Sequence, residues 1–216
     1  MEILFSWGAL SALILFLSVL QYIWGIYQRS VPRPLLSTWA MWAILGYLLL
    51  RAYEGTGAEI DTTLLAAWVG LINPLLVVAT VLVCRYGELT WTRFDTKCAL
   101  IFIATVIGWR TLDNPLIGLL GGIVADLVSA IPQIRKNWQE PHDEIWYPWT
   151  VFCIGSGINL LAVAHWELSF EGIGYWLYPI YFFVGSGSIA IPVVLHRLGH
   201  YKNKPAKQQK VQKDPA

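Results

Sequence analysis

Asp126 is the one acidic side chain set deep inside an apolar run of this chain, where a carboxyl can trade protons or hold a solute. Ionised at that depth it costs about 2.5–3.5 kcal/mol, a cost that a proton or a bound countercharge removes. Gln133 follows nearly two helical turns later, so Asp126, Gln133, Gly122 and Gly118 share one helix face. Gly118 and Gly122 form a small-xxx-small pair that admits close helix approach, which turns this face into a bundle. The competing reading is a hydrogen-bonded Asp that knits helices together.

A second group of residues suits solute contact. Asn73 precedes Pro74 in the middle of another apolar run, so a polar amide and a weakened helix coincide. Asn159 lies in a later run. Either amide can equally make an interhelical hydrogen bond, worth only about 0.6 kcal/mol on average. Trp39, Trp42 and Trp149 stand at corresponding ends of their runs, where an indole can stack on a planar or sugar-like solute, cap a cavity, or join an interfacial belt. Pro132, directly before Gln133, removes a backbone donor and pushes on the Val128 carbonyl, giving a hinge or a fixed kink. The Gln133 amide is the nearest partner for that carbonyl. Gln21 occupies the comparable place near the end of the first run.

Other chemistries lack their groups. Gly155-Ser156-Gly157 and Gly185-Ser186-Gly187-Ser188 miss the Gly-x-Ser-x-Gly spacing of a nucleophile elbow and read as close-packing residues. His142, His165, His196 and His200 have no second ligand at metal spacing, so no metal and no cofactor are expected. No phosphate loop occurs and the basic tail lacks interleaved aromatics, which argues against nucleotides and nucleic acid. An enzyme is not expected.

These residues sit on seven apolar stretches, each near the length that crosses about 30 Å of hydrocarbon at ~1.5 Å per residue. The spans are placed at about 3–26, 36–52, 62–84, 98–114, 115–138, 147–164 and 173–195, with the flanks extending the shorter ones. All of the 15 Lys and Arg except Arg51 and Arg110 fall in alternate gaps and the tail; Glu54, Glu59, Asp61, Glu167 and Glu171 stand on the other side. Basic residues are retained on the cytoplasmic face, so the amino terminus is expected outside and the carboxyl terminus inside. The fold class expected is an all-α integral membrane protein.

With 216 residues, 56% hydrophobic and 13% charged, the chain leaves no room for a soluble domain beside seven spans. Its net charge of +1 conceals a basic face and an acidic one. The tail over 197–216 reads as disordered, fixing topology or attracting anionic lipid. A cleaved signal is not expected, since no basic residues precede the first run. Disulfides are not expected from Cys84, Cys98 and Cys153, none of which forms an extracellular pair. With no Asn-x-Ser/Thr sequon and no retrieval signal, the localisation expected is a bacterial inner membrane.

The spans group as three plus one plus three. The first three-helix repeat covers 1–97, a linker helix 98–114, and the second repeat 115–196; an odd linker makes the repeats parallel. Leu20-Gln21 matches Pro132-Gln133, and Trp39, Trp42 and Gly46 match Trp149, Phe152 and Ser156. With Ala130-Ile131-Pro132-Gln133-Ile134-Arg135-Lys136-Asn137 followed by Trp138 and Pro141, the chain resembles the PQ-loop superfamily, which includes the SWEET and semiSWEET transporters. Leu20 stands where the family often has proline. The resemblance implies alternating access for a small polar solute (sugar, amino acid or vitamin precursor), facilitative or proton-linked. It implies a hinge at Pro132, Gln133 and Gln21, and solute contacts from Asn73, Trp42, Asn159, Trp39 and Trp149, beside Asp126, which its depth in the span names. Solute, membrane lipid and protons are the partners expected, and a homo-oligomer is compatible. The alternative is a seven-helix binding or sorting receptor that moves nothing across the membrane.

Overall fold

The computed structural model describes residues 6–57, 63–89, 91, 93–163, 166–169 and 172–199. The tail over 200–216, the start of the first expected span and the acidic residues Glu59, Asp61 and Glu171 lie outside the described residues. Among the described residues there are seven helices, α1 (Trp7–Tyr27), α2 (Leu36–Gly55), α3 (Leu65–Cys84), α4 (Arg93–Leu112), α5 (Pro115–Gln139), α6 (Trp146–Leu160) and α7 (Ile173–Arg197), with a 3-10 turn at Pro141–Asp143.

Local chemistry sets several helix ends. Ser6 Oγ accepts the Ala9 amide at 3.1 Å to open α1. Asn114 Oδ1 accepts the Leu116 amide at 2.9 Å while Pro115, with no N–H to satisfy, takes the first helical position of α5. Arg85 closes α3 in the left-handed region at φ 48°. Two observed boundaries differ from expectation. The linker helix begins at Arg93 rather than Cys98, because Asp95 in its first turn complements the helix dipole and Trp91 Nε1 bonds Thr96 Oγ1 at 3.0 Å. The sixth helix ends at Leu160, short of the expected 164.

The turns sort to two ends. Leu36 N donates to Glu88 O at 2.9 Å and Glu88 N to Pro34 O at 3.0 Å, joining the α1–α2 and α3–α4 turns. Gly25 at the end of α1 packs on Ile145, and the His142 and His196 rings lie 6.2 Å apart, which adds the α5–α6 turn and the end of α7 to the same side. At the opposite end Gly55 packs on Pro115 and Gly174 on Thr56. Arg29, Arg33, Arg85, Arg135, Lys136 and Arg197 therefore share a basic end, while Arg51 pairs with Glu54 at the other.

Helix packing repeats within the chain. α3 packs against both α1 and α2, and α7 against both α5 and α6; α1 meets α6 and α2 meets α5, while α4 lies against α5 and, less extensively, α2. Gly46 makes the α2–α3 approach possible, since a Cβ there would come within 3.2 Å of the Leu71 backbone. Outward faces are apolar: Leu10, Leu13, Leu17, Leu20 and Trp24 form one exposed stripe along α1, and Leu120, Val124, Leu127 and Ile131 another along α5. Such stripes suit hydrocarbon, not water. Among the described residues four helices, α1, α3, α5 and α7, are long and apolar enough to cross a membrane.

Candidate functional site

A cavity of about 130 Å³ lies among six of the helices, room for several waters or a small solute. Its wall takes Ser18 and Tyr22 from α1, Trp39, Trp42 and Gly46 from α2, Asn73 and Pro74 from α3, Asp126 and Ala130 from α5, Trp149 and Phe152 from α6, and Tyr178, Tyr181 and Ser186 from α7. No α4 residue lines it.

Asp126 is the centre of its polar network. The Tyr181 hydroxyl donates to the Asp126 carboxylate. Ser129, one turn on, donates to the Asp126 carbonyl at 2.7 Å and lies 3.5 Å from its carboxylate. Trp42 Nε1 donates to Ser129 Oγ at 2.9 Å, so α2, α5 and α7 converge on one carboxyl group. Removing the hydroxyl in Tyr181→Phe strips a partly buried carboxylate of a donor; unfolding in detergent should show a loss of about 1.5–3 kcal/mol, and an unchanged midpoint would deny the bond any role.

Asn73 is 4% exposed. Its Nδ2 donates to Leu15 O at 3.3 Å, which fixes the amide orientation because a backbone carbonyl can only accept; Oδ1 is left without a partner. Aromatic rings form the rest of the wall. Trp39 of α2 and Trp149 of α6 stack with centroids 6.3 Å apart and planes at 25°. Tyr22 lies 5.1 Å from Trp39, and Trp42 5.0 Å from Trp39. Phe152 continues to Phe182 at 5.1 Å, Tyr178 at a further 5.4 Å and Tyr53 at 4.9 Å, an aromatic path running toward the end opposite the basic one.

Of the sequence-derived candidates, Asn73, Asp126, Trp39, Trp42 and Trp149 meet in this cavity. Asn159 does not: it is fully buried in α6 with neither amide atom partnered. It continues the α6 face of Trp149 and Phe152 past the cavity toward the other end. Gln21, with Oε1 buried and unpartnered, also lies off the cavity wall. Pro132 faces outward, and helix α5 runs unbroken through it.

The Gln133 amide is not turned back to Val128. Gln133 Nε2 donates instead to Asn137 Oδ1 at 2.9 Å and to Glu144 Oε2 at 3.1 Å, and Asn137 Nδ2 donates to Ile189 O at 3.0 Å. The longer reach satisfies two buried acceptors and ties the end of α5 to the α5–α6 turn and to α7. Glu144 is 8% exposed, and burial raises its carboxyl above the ordinary glutamate range against the pull of nearby Lys136. The Trp149 indole also faces Glu144, although its Nε1 stays beyond bonding distance.

A raised folded value means that the folded protein holds this proton while the unfolded chain has lost it. Stability from Glu144 is therefore complete below the ordinary value near 4.5 and declines as pH rises toward the folded value, by at most about 1.4 kcal/mol per unit. Glu144→Gln should remove that slope when unfolding is followed against pH; a slope equal to that of the wild type would exclude Glu144 as its source.

Sequence reasoning missed Tyr181, Tyr178, Ser129, Phe152 as a wall residue, and the bonds from Gln133 to Asn137 and Glu144. Ser129 at one turn from Asp126 and Asn137 at one turn from Gln133 were within reach of helical spacing. Tyr181 comes from a helix far along the chain and leaves no local signal. No family model matches the chain, and no curated protein or solved structure matches it.

Proposed function

We propose that the protein is an alternating-access transporter of a small polar solute, with two parallel three-helix halves, α1–α3 and α5–α7, joined by α4. The observation that carries this reading is the composition of the cavity wall, to which every helix of both halves contributes and α4 does not. The packing pattern supports it as well, α3 lying between α1 and α2 as α7 lies between α5 and α6. Cavities between repeated halves are where such proteins hold their solutes.

In this reading all seven helices cross a bacterial inner membrane, the basic end faces the cytoplasm, and the amino terminus is outside. The solute rests among Asn73, Asp126, Trp42 and the Trp39–Trp149 pair. Tyr53 and Tyr178 close the cavity toward one end, and Tyr22, Trp39 and Trp149 toward the other. Pro132 supplies the soft point of α5, and the Gln133–Asn137–Glu144 links hold the basic end closed until they part. Asp126 carries the coupling proton.

Purified protein in liposomes tests the reading against a panel of sugars, amino acids, amines and vitamin precursors. Flux above protein-free vesicles for at least one solute is expected. Saturable binding of a solute that never crosses would replace transport with the receptor alternative.

A further inference from the structure

The ionisable groups of the cavity wall carry charge of one sign. Several of its donors are engaged within the wall: Trp42 Nε1 on Ser129, Asn73 Nδ2 on Leu15 O, the Tyr181 hydroxyl on Asp126, and the Ser18 and Ser186 hydroxyls on carbonyls of their own helices. The one carboxyl group of the wall is that of Asp126, and two polar atoms of wall residues have no partner, the acceptor Asn73 Oδ1 and the donor Trp149 Nε1. Around them stand the π faces of Trp39, Trp149 and Phe152, which also attract positive charge.

Among the described residues no positive group answers that carboxylate. The described residues lining the cavity include no Lys, Arg or His. Against α5, helix α7 presents Tyr178 and Tyr181, α2 presents Trp42 with Met41 and Leu45, and Tyr53 lies behind Tyr178. From α4, Cys98 packs in the cluster that holds Ala125. A carboxylate at this depth needs either its proton or a cation brought from outside.

We propose that the cavity binds a singly charged organic cation with a flat apolar body, and that this cation and a proton displace each other on Asp126, making the protein a cation–proton exchanger. The flat body lies against the indoles, the charged head meets Asp126, and an N–H on the head, where present, reaches Asn73 Oδ1. Anions and zwitterionic solutes find no positively charged partner for their negative group among the described wall residues. The exchange rests on the transport reading above; the binding preference does not.

Three probes of similar body separate these cases: benzyltrimethylammonium, benzyl alcohol and benzoate, titrated into the detergent-purified full chain by tryptophan fluorescence. The cation should bind about tenfold or more tightly than the alcohol, and benzoate more weakly than either. Where Asp126 holds its proton, cation binding should release one proton to an unbuffered solution and weaken about tenfold per unit fall in pH. Asp126→Asn should lose both the preference and the release, and Asp126→Glu should keep the preference. Equal binding of cation and alcohol, or an unaltered preference in Asp126→Asn, overturns the inference, and the wild-type comparison decides it even if the variant does not fold.

Liposomes with an acidic interior then test exchange, since protons leaving should drive labelled benzyltrimethylammonium inward. A cation that binds but does not move defeats the transport reading and leaves the cation site standing. Protein-dependent flux of a membrane-impermeant neutral sugar equal to that of the cation defeats the inference and leaves transport standing.

Discussion

Replacing Asp126 with Asn should reduce uptake driven by a pH gradient to that of protein-free liposomes. The reason is geometric. One carboxyl gathers a phenol from α7, a hydroxyl from its own helix and, through that hydroxyl, an indole from α2. Asn keeps the size and can still accept from Tyr181, so packing should survive; what disappears is the capacity to change charge. A lost charge pairing of about 1.4 kcal/mol is already tenfold, and a pair withdrawn from bulk water exceeds that. Uptake should be measured at several imposed gradients. A variant whose rate still follows the gradient would remove Asp126 from the coupling.

The second large effect concerns Trp149. Its indole is 7% exposed and lies among Tyr22 at 6.0 Å, Trp39 at 6.3 Å, Trp42 at 6.5 Å and Phe152 at 6.5 Å. Trp149→Ala should therefore break the aromatic contact of α6 with α1 and α2 at the basic end. In a water-soluble core such a truncation costs about 3–5 kcal/mol. Here the unfolded reference already surrounds the ring with lipid, so the packing part remains and about 2–3 kcal/mol is expected. Trp149→Phe should recover part of it. Unfolding in detergent measures both, and an alanine variant as stable as the wild type would show that the aromatic cluster does not hold α6 to α1 and α2.

Apolar run length made the seven helices legible, and charge segregation made their ends legible, because both follow from solvation of single stretches. Asn73, Asp126 and the three tryptophans could be named for the same reason: a polar group in an apolar run, or an indole at its end, stands out without knowledge of the fold. What could not be read was which side chains face one another across helices. Tyr181 meets Asp126 only because α7 packs on α5, and Gln133 turns to Glu144 only because the α5–α6 turn folds back beneath it. Asn159 was misleading in the opposite way. It has the right residue type on the right face of α6, but the cavity ends before reaching it.

Alternating access is the centre of the account, and accessibility of Ser18 tests it most directly. Ser18 lies on the cavity wall, and Cys is close to it in size. In a chain whose native thiols Cys84, Cys98 and Cys153 have been replaced, Ser18→Cys should react with a membrane-impermeant maleimide applied to either face of oriented vesicles, with solute slowing both reactions. Labelling from one face only, however long the exposure and whatever the solute, would contradict a cavity that opens to the two sides in turn.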